Sequence, residues 1–312
     1  MILKVPGKLD CSIDPDTGQS HARIPDACRA SNVLCMSEPK FSATQLANFA
    51  AQYQRDGVVH IPGLLSQAWI NDLLSAINSV RRDQDSARAR YLTTEWSNAT
   101  GRFTIRWMWR DFEVVRRFFT AAGVQSVVGH VIGAERLQYW YDLTFIHDPR
   151  ADGEGSPWHH DIAAFPCKGT QIPSLWIGMS DISKDMSPLQ CIRGSHRNPL
   201  MFRPPVYVDQ DAPVPTGYAE LPNVAALIAR GEYEVITWDI CAGDALLIHP
   251  YTLHGSPTNV SDRGRIAFTT RWMGDDVVWQ PDALSMKVPG VDLTKVIRGT
   301  RPDGPLFPYV DF

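Results

Sequence analysis

The chain has 312 residues, of which 44% are hydrophobic and 21% are charged, and its formal net charge is −4. These values are ordinary for a globular protein, and the slight acidity gives no electrostatic reason to expect nucleic acid or a membrane surface as a partner. The six cysteines form no Cys-x-x-Cys pair, so we expect reduced thiols rather than a zinc site or a disulfide framework.

Residues 1–40 show no apolar period and are predicted to form an irregular lead-in. They contain no signal-peptide core, and no window of the chain is apolar enough to span a bilayer, so we expect a cytoplasmic location. Amphipathic helices are predicted at 42–57 and 66–82, with a short strand at 58–63 between them. The polar segment 83–101 is predicted to be a loop.

The segment 101–111, GRFTIRWMWRD, predicts a pocket-lining strand, and 112–133 has the spacing of a helix. From residue 137 the pattern changes to alternating strands separated by turn residues. Helices followed by antiparallel strands predict an α+β, mainly β chain with a jelly-roll-type double sheet. We expect one domain over 1–312, with the N-terminal helices packed on one sheet and a tail over 275–312 that wraps the outside.

The segment Trp158-His159-His160-Asp161 carries the first chemical signal. Side chains two residues apart on a strand point to the same face, so His159 and Asp161 should point together into a cavity while His160 points away. One imidazole and one carboxylate, joined by a second histidine, form the facial triad that holds non-haem Fe(II). Taken alone, a His-x-Asp tripeptide is more often a chance pair of solvated side chains.

His249 and His254 are the two candidates for the third ligand. We favour His254, because it is predicted to end a strand just before a turn and because Arg265 follows it by eleven residues, a spacing suited to a paired return strand. Arg265 could bind the far carboxylate of an α-keto diacid that chelates the iron, and Ser256 could donate to the same carboxylate. The ordinary alternatives are a surface arginine and a simple Ser-Pro turn.

With these residues the sequence resembles the phytanoyl-CoA dioxygenase family. Its members are Fe(II)/2-oxoglutarate oxygenases on a double-stranded β-helix, a cupin-like jelly roll. The resemblance runs from about residue 45 to the C-terminus. It is carried in order by RDGVVHIPGLLS, PWHHDIAAFP, SLWIGMSDISKDMSPLQCIRGSH, GDALLIHPYTLHGSPTNVSDRGR and RWMGDD. Several motifs in the correct order form a stronger signal than any one of them.

The resemblance implies that His159, Asp161 and His254 bind Fe(II), and that Arg265 and Ser256 bind 2-oxoglutarate, with O2 as the further reactant. No side-chain general base is required, because the metal carries out the difficult chemistry. The products implied are succinate, CO2 and an oxidised substrate, most simply a hydroxylated one.

Two aromatic residues are implied by position to border the co-substrate, Trp176 and Tyr141, although each could equally be a core residue. The sequence departs from the family at His147, where many members have lysine. Halogenating relatives usually have a small residue where this chain has Asp161. The carboxylate therefore favours oxygen transfer or hydrogen abstraction.

We expect the substrate to be a small to mid-sized, largely apolar metabolite of secondary metabolism, and no basic cluster supports a CoA thioester. The residues predicted near the mouth are Arg102, Trp107, Trp109 and Phe202, with Arg106 and Phe165 as the candidates for substrate contact. Desaturation, epoxidation or ring rearrangement at the same centre stays open. So does an inactive ligand-binding jelly roll, although such a protein should lack a triad residue. We expect a monomer or homodimer.

Overall fold

Four helices precede the strand-rich part of the chain in the computed structural model, which describes residues 41–83, 93–97, 102–149, 155–204 and 216–312. The helices are α1 (Ala43–Asp56), α2 (Gln67–Arg82), α3 (Glu113–Ala121) and α4 (Val124–Ile132), and a short α5 (Val224–Ala229) follows later. The predicted lead-in over 1–40 lies outside the described residues. In the described parts of the chain, no helix has the length and apolar character needed to cross a membrane.

The first two helices form where their cap residues predict them. The Ser42 hydroxyl accepts a hydrogen bond from the Gln45 backbone N–H, and the Gln45 side chain accepts one from the Ser42 backbone, which closes a capping box. Helix α1 ends at Gly57, whose φ of 78° lies in the left-handed region that favours glycine. Ser66 caps α2 through its side chain. Both predicted helices are confirmed.

The strands of the described residues, in chain order, are β1 (Val58–Ile61), β2 (Thr93–Ser97), β3 (Arg102–Arg106), β4 (Leu137–His147), β5 (Ser156–His159), β6 (Cys167–Lys168), β7 (Ser174–Gly178), β8 (Gln190–Ile192), β9 (Met201–Phe202), β10 (Tyr218–Ala219), β11 (Val235–Thr237), β12 (Ala245–Ile248), β13 (His254–Ser256), β14 (Arg265–Met273), β15 (Val278–Trp279) and β16 (Tyr309–Val310). The larger sheet has the order β1-β12-β7-β14-β4-β3-β2, with β16 also paired to β4. The smaller sheet has the order β11-β8-β13-β5, and all pairs in both sheets are antiparallel.

The helices cover one face of the larger sheet. Phe118 of α3 contacts Phe268 of β14 edge-to-face at 5.4 Å, and Trp69 of α2 contacts Phe118 in the same way. The next residue before Phe268 on the strand, Ala267, instead packs with Trp176 in a second buried cluster on the opposite face. The chain is therefore mostly β with few helices, and the face of the larger sheet that points away from the helices is free to build a site.

Two sequence predictions about this region are wrong. A single helix was expected over 112–133, but Gly123, at φ 74°, ends one helix and begins another. The polar segment 83–101 was expected to be a loop, but it contains β2, which pairs with β3 at the sheet edge. Strand pairing uses backbone N–H and C=O groups, so a polar segment can form an edge strand without an alternating apolar pattern. Residues 84–92 and 98–101 of that segment lie outside the described residues.

The strand expected over 101–111 stops at Arg106, because Trp107 adopts a φ of 62° and the next three residues form a 3₁₀ turn. Asp142 holds this turn by accepting hydrogen bonds from the backbone N–H groups of Met108 (2.8 Å) and Trp109 (3.0 Å). Burial raises the pKa of Asp142 to about 7 in spite of these two bonds. The turn is thus fixed by one buried carboxyl group.

The C-terminal segment is attached to the larger sheet by side-chain as well as strand contacts. The Gln138 side chain donates to the carbonyl groups of Pro302 (3.1 Å) and Phe307 (2.9 Å). Trp279 packs edge-to-face on Phe307 at 5.4 Å. Strand β15 pairs with β6, so this segment also reaches the part of the chain just after Asp161.

Candidate metal centre

Three side chains that can bind a metal meet between β5 and β13. His159 ends β5, and its register partner across the antiparallel pair is His254, which begins β13. Asp161 Oδ1 lies 4.0 Å from His159 Nε2 and 3.9 Å from His254 Nε2. All three ligand atoms lie within 4.8 Å of one another, so the group could hold a metal ion.

The backbone explains why His159 and Asp161 point the same way although Asp161 is not on the strand. Asp161 begins a 3₁₀ turn, but His160 between the two residues is still extended, with φ −125° and ψ 148°. The alternation of a strand therefore continues through His160. The His160 side chain points elsewhere, and its Nε2 accepts a hydrogen bond from the Phe202 backbone N–H at 2.8 Å.

Both histidines of the cluster are oriented by backbone carbonyl groups. His159 Nδ1 lies 2.7 Å from the Pro157 carbonyl oxygen, and His254 Nδ1 lies 2.9 Å from that of Thr252. A carbonyl oxygen can only accept, so each Nδ1 carries the hydrogen and each Nε2 keeps a lone pair for a metal. Burial lowers the pKa of His254 to about 4, which keeps its ring neutral, as a metal ligand must be.

Asp161 is ionised in spite of its burial. Burial alone would raise its pKa, but the charge of Arg271, the two histidines and a hydrogen bond from Ser174 outweigh that effect and hold the pKa below its ordinary value. Ser174 Oγ donates to Oδ2 at 2.5 Å, and Arg271 Nη2 lies 3.1 Å from the same oxygen. Oδ1 is the oxygen that faces both histidines.

His249, the other candidate for third ligand, lies elsewhere. Its ring packs against Tyr53 at 5.7 Å and against His196 at 5.0 Å. It lines a cleft of about 650 Å³ whose walls include none of the three clustered residues. Burial lowers the pKa of His249 to about 3, so this histidine is a neutral packing residue.

The structural reason for preferring His254 differs from the predicted one. His254 begins a strand instead of ending it, and β13 and β14 do not form a hairpin. Strand β13 pairs with β5 and β8 in the smaller sheet, whereas β14 pairs with β4 and β7 in the larger one. The chain crosses from one sheet to the other between Ser256 and Arg265. The predicted hairpin is therefore wrong.

The turn that begins with Asp161 is held by a buried lysine. Lys168 Nζ donates to the carbonyl oxygens of Ile162 at 2.9 Å and Phe165 at 2.8 Å. It also lies 3.6 Å from the Asp282 carboxylate in the C-terminal segment. Burial lowers the pKa of Lys168, and Asp282 acts in the opposite direction. These contacts fix the backbone that presents Asp161.

The C-terminal segment completes the attachment of this turn. Tyr218 Oη lies 2.9 Å from the Ala163 carbonyl oxygen and 2.7 Å from the Asp282 carboxylate, and can donate its hydrogen to either. The Met286 backbone N–H donates to the Ala164 carbonyl oxygen at 2.8 Å. Each bond satisfies a carbonyl group that a short 3₁₀ turn leaves unpaired. Nothing in the local sequence indicates these long-range contacts.

Arg265 lies on the inner face of the larger sheet, where it is only 3% exposed. Its Nη1 donates to the Ser187 carbonyl oxygen, and its guanidinium carbon lies 5.7 Å from the centre of the Trp176 ring. In the described part of the chain no acidic side chain pairs with it. Arg265 Nε, Ser187 Oγ and Thr269 Oγ1 are buried without hydrogen-bond partners. Such orphaned polar atoms fit a carboxylate-bearing ligand.

Of the two residues predicted to share a pocket with Arg265, only Trp176 contacts it. Trp176 lies against Arg265, as the predicted shared pocket requires. Ser256 lies on β13 in the smaller sheet, and its hydroxyl accepts a hydrogen bond from the Ser156 backbone N–H at 3.2 Å. Arg265 donates its hydrogen bond to Ser187 and not to Ser256.

His147 is part of a row of basic residues across three strands. It is the register partner of Arg265 on one side and of Arg102 on the other. His147 is 6% exposed. Burial, and to a lesser extent the charges of Arg265 and Arg102, lower its pKa to about 2. His147 is therefore neutral, whereas a lysine at this position would add a third positive charge.

His147→Gln is expected to reduce the acid sensitivity of the metal-free protein. In the unfolded chain this histidine is protonated below about pH 6.5, whereas in the folded protein it stays neutral down to about pH 2. His147 therefore lowers the free energy of unfolding as the pH falls below 6.5. Below that pH, the free energy of unfolding of the natural protein should fall faster than that of the variant, by about 1.4 kcal/mol per pH unit. Urea denaturation with a chelator at several pH values measures the two slopes. Equal slopes would contradict a neutral buried His147.

Arg271 is the site residue that the sequence reasoning did not single out. It lies on β14 opposite Tyr141 of β4, and its guanidinium carbon is 5.8 Å from the Tyr141 ring and 5.9 Å from the Phe165 ring. Tyr141 and Phe165, which the sequence analysis assigned to the site, thus both lie against an arginine that it did not name. The signal was present, because Arg271 follows Arg265 by an even number of residues in one strand.

The other residues predicted near the mouth occupy different places. Trp107 stacks on Tyr141 at 4.7 Å, and Arg106 on β3 is the register partner of Leu143. Trp109 instead packs against Phe119 of α3, in the core under the helices. Phe202 packs on His160 in a separate small cluster.

Comparisons with known proteins agree with this geometry. Residues 53–267 match the sequence model of the family described as phytanoyl-CoA dioxygenase (PhyH). Among the curated proteins compared, none matches the sequence. Solved structures match with TM-scores of 0.60 to 0.67 at identities of 18% to 20% in the cases given below, so these likenesses show a shared fold.

One similar structure is the epimerase SnoN from nogalamycin biosynthesis, in complex with Fe³⁺, α-ketoglutarate and nogalamycin RO. It has a TM-score of 0.67 and 20% identity over 86% of this chain and 99% of that one. The carbocyclase SnoK has a TM-score of 0.66 and 18% identity over 87% and 97%. EctD from S. alaskensis, with 2-oxoglutarate and 5-hydroxyectoine, has a TM-score of 0.60 and 18% identity over 76% and 78%.

The family match covers more than two thirds of the sequence and includes every residue of the His-Asp-His cluster. The cluster has the ligand types and the open geometry of a non-haem iron centre. The chain therefore belongs to the phytanoyl-CoA dioxygenase family and is an enzyme that depends on iron, 2-oxoglutarate and O2.

Proposed function

We propose that this enzyme oxidises a small to mid-sized, largely apolar metabolite of secondary metabolism, with hydroxylation as the reaction and succinate and CO2 as co-products. The observation that supports the proposal most is that the ligand atoms of His159, Asp161 and His254 lie within 4.8 Å of one another. Arg265 is buried, and no acidic side chain of the described residues pairs with it. The complete triad argues against an inactive ligand-binding jelly roll. Two similar structures were solved with small organic molecules, nogalamycin RO in SnoN and 5-hydroxyectoine in EctD.

We also propose that the eight-stranded and the four-stranded sheet form a double-stranded β-helix within a single domain over 1–312. Its support is that His159 and His254 come from the smaller sheet, with Asp161 in the turn just after it, while Arg265 and Arg271 come from the larger one. A cytoplasmic monomer or homodimer without a nucleic-acid or membrane partner fits the modest net charge of −4.

In the proposed mechanism, His159 Nε2, Asp161 Oδ1 and His254 Nε2 would hold Fe(II). The residues fit this ion, because two neutral imidazoles and one carboxylate form the facial triad. With 2-oxoglutarate and O2, bound iron supplies the oxidising power that attacks an unactivated C–H bond. The proposed reaction requires no proton donor or acceptor from the chain at the reacting carbon. Its task is to position the reactants and to exclude water.

The second part of the proposal concerns where 2-oxoglutarate binds, which we place at Arg265. We propose that its distal carboxylate accepts hydrogen bonds from the Arg265 guanidinium, with Thr269 as a further donor on the same strand face. Trp176 lies against this guanidinium and limits access of water. Ser256 is the less well supported partner, because its hydroxyl already accepts a backbone hydrogen bond. Burial lowers the pKa of Arg265 to about 9, which reflects the cost of burying its charge. Binding of an anion beside the guanidinium would offset that cost.

The substrate is proposed to lie beyond the metal, against Phe165 and Tyr141, with Arg106 near the entrance. These residues give the aromatic lining that a largely apolar molecule requires. The outcome of the reaction depends on which substrate hydrogen faces the metal. Similar structures include an epimerase and a carbocyclase, so fold alone does not decide between hydroxylation and desaturation, epoxidation or ring rearrangement.

A turnover screen tests the proposed function. The protein with Fe(II), 2-oxoglutarate and O2 is offered candidate metabolites, and succinate release is compared with the rate without substrate. We expect a true substrate to raise succinate release and to gain one oxygen atom in the mass spectrum. Loss of two hydrogens would instead identify desaturation or ring closure, and an unchanged mass would identify epimerisation. Absence of succinate under every condition, including without substrate, would contradict the enzyme assignment.

A further inference from the structure

The two oxygens of Asp161 have different surroundings. Oδ1 faces His159 and His254 at 4.0 and 3.9 Å. Oδ2 accepts the Ser174 hydroxyl at 2.5 Å and lies 3.1 Å from Arg271 Nη2. The carboxylate cannot rotate without breaking both of these contacts, so a metal between the histidines meets one oxygen only. Ser174 and Arg271 thus position the ligand, as partners of metal-binding carboxylates commonly do.

The sheet register places Arg271 in this position. On β14, Arg271 is the partner of Tyr141 on β4 and of Ser174 on β7. The three residues form one row across the inner face of the larger sheet, beneath Asp161. Arg265 and Thr269 lie on the same face of β14, since they are separated from Arg271 by even numbers of residues. One strand therefore presents guanidinium groups at both ends of the site.

Arg271 has more hydrogen-bond donors than Asp161 uses. Arg271 is only 5% exposed, and its Nε and Nη1 are buried without a hydrogen-bond partner in the described part of the chain. A buried guanidinium nitrogen without an acceptor is costly, and the cost disappears if a ligand supplies a negatively charged oxygen. The Tyr141 and Phe165 rings lie within 6 Å of the guanidinium carbon and can stabilise its charge, but they accept no conventional hydrogen bond.

We propose that Arg271 binds a carboxylate of a molecule held beside the metal, while its Nη2 keeps Asp161 in place. This inference rests on the proposed function. Two molecules could supply the carboxylate: the keto-acid end of 2-oxoglutarate, or an apolar substrate that carries a carboxylate. Both present the planar pair of oxygens that a guanidinium group binds through two N–H donors.

The test compares Arg271→Met with Ser174→Ala. Each substitution removes one of the two contacts to Asp161 Oδ2, but only Arg271→Met removes the unpaired N–H donors. Binding of Fe(II) under anaerobic conditions should weaken in both variants, by about tenfold to 100-fold. Arg271→Lys, which keeps the charge, serves as the second variant if Arg271→Met does not fold. Circular dichroism and thermal unfolding check the fold of each protein.

Two probes distinguish the sources of the carboxylate at saturating Fe(II). 2-Oxobutanoate has a keto-acid end but no distal carboxylate, so its affinity cannot depend on Arg265. If Arg271 binds the keto-acid end, Arg271→Met should bind 2-oxobutanoate and 2-oxoglutarate about tenfold or more weakly than Ser174→Ala does. If it binds a substrate carboxylate, both keto acids should bind equally well to the two variants. Benzoate should then perturb the visible band of the complex with iron and 2-oxoglutarate in Ser174→Ala but not in Arg271→Met.

The proposal is overturned if Arg271→Met binds both keto acids as tightly as Ser174→Ala does and also shows the same benzoate effect. Absence of any benzoate effect in both variants, together with equal keto-acid affinities, overturns it as well. The proposed function fails in a different way, because the natural protein would then give no visible band with Fe(II) and 2-oxoglutarate.

Discussion

His254→Ala is expected to weaken Fe(II) binding by more than about 100-fold, because loss of a direct ligand should exceed the 10- to 100-fold effect of losing an outer partner. The visible charge-transfer band of anaerobic protein with Fe(II) and 2-oxoglutarate should disappear with the metal. Succinate release should stop for the same reason. Titration with Fe(II), followed by absorbance of the 2-oxoglutarate complex, measures the effect.

His249→Ala is the matched control for this experiment. His249 is five residues from His254 in sequence and also has a lowered pKa, but it lines a separate cleft. Its removal should leave Fe(II) affinity and the band unchanged, apart from a modest loss of stability from the lost packing. A band that survives His254→Ala, or that is lost in His249→Ala while the fold is intact, would contradict the assignment of the triad.

Arg265→Met is expected to weaken 2-oxoglutarate binding by about 100-fold, which corresponds to about 2.7 kcal/mol for the loss of charge-assisted hydrogen bonds. Fe(II) affinity should stay the same, because Arg265 contacts Ser187 and Trp176 and none of the triad residues. Arg265→Lys keeps the charge but not the planar fork, so we expect an intermediate loss of about tenfold. Anaerobic titration of the charge-transfer band with 2-oxoglutarate gives the dissociation constants.

Arg263→Met is the control for the arginine substitution. Arg263 lies two residues earlier, is exposed and donates to the Ser183 hydroxyl at 2.9 Å. Arg263→Met removes one positive charge, as Arg265→Met does, from a position two residues away. We expect 2-oxoglutarate affinity to be unaffected, because exposed charges are screened. If Arg265→Met and Arg263→Met bind 2-oxoglutarate equally well, another group holds the distal carboxylate.

The parts of the fold that local sequence determines could be predicted from it. Ser42, Gly57 and Ser66 mark helix ends because capping involves only neighbouring backbone groups. The shared direction of His159 and Asp161 was also predictable, since it depends on the extended backbone of one residue between them. In each case the physical cause lies within a few residues of the feature.

Features set by distant contacts could not be predicted in the same way. The spacing of His254 and Arg265 suggested a hairpin, but strand partners are chosen by the packing of the two sheets. Arg271 has an even spacing from Arg265, yet its ion pair with Asp161 depends on a residue 110 positions away in the sequence. The left-handed Trp107 is held by Asp142, again from another strand. Sequence periodicity contains no information on such partners.

The Asp161 turn contacts Lys168 and Tyr218, and both of these residues contact Asp282, which has a thermodynamic consequence. The segment that contains Asp282 supports the backbone of a metal ligand, so a bound ion and a docked C-terminal segment favour the same arrangement of the turn. Any ligand that binds only the folded form stabilises it, and the effect is reciprocal. Loading the enzyme with iron should therefore protect its C-terminal segment, and loosening that segment should promote release of the metal.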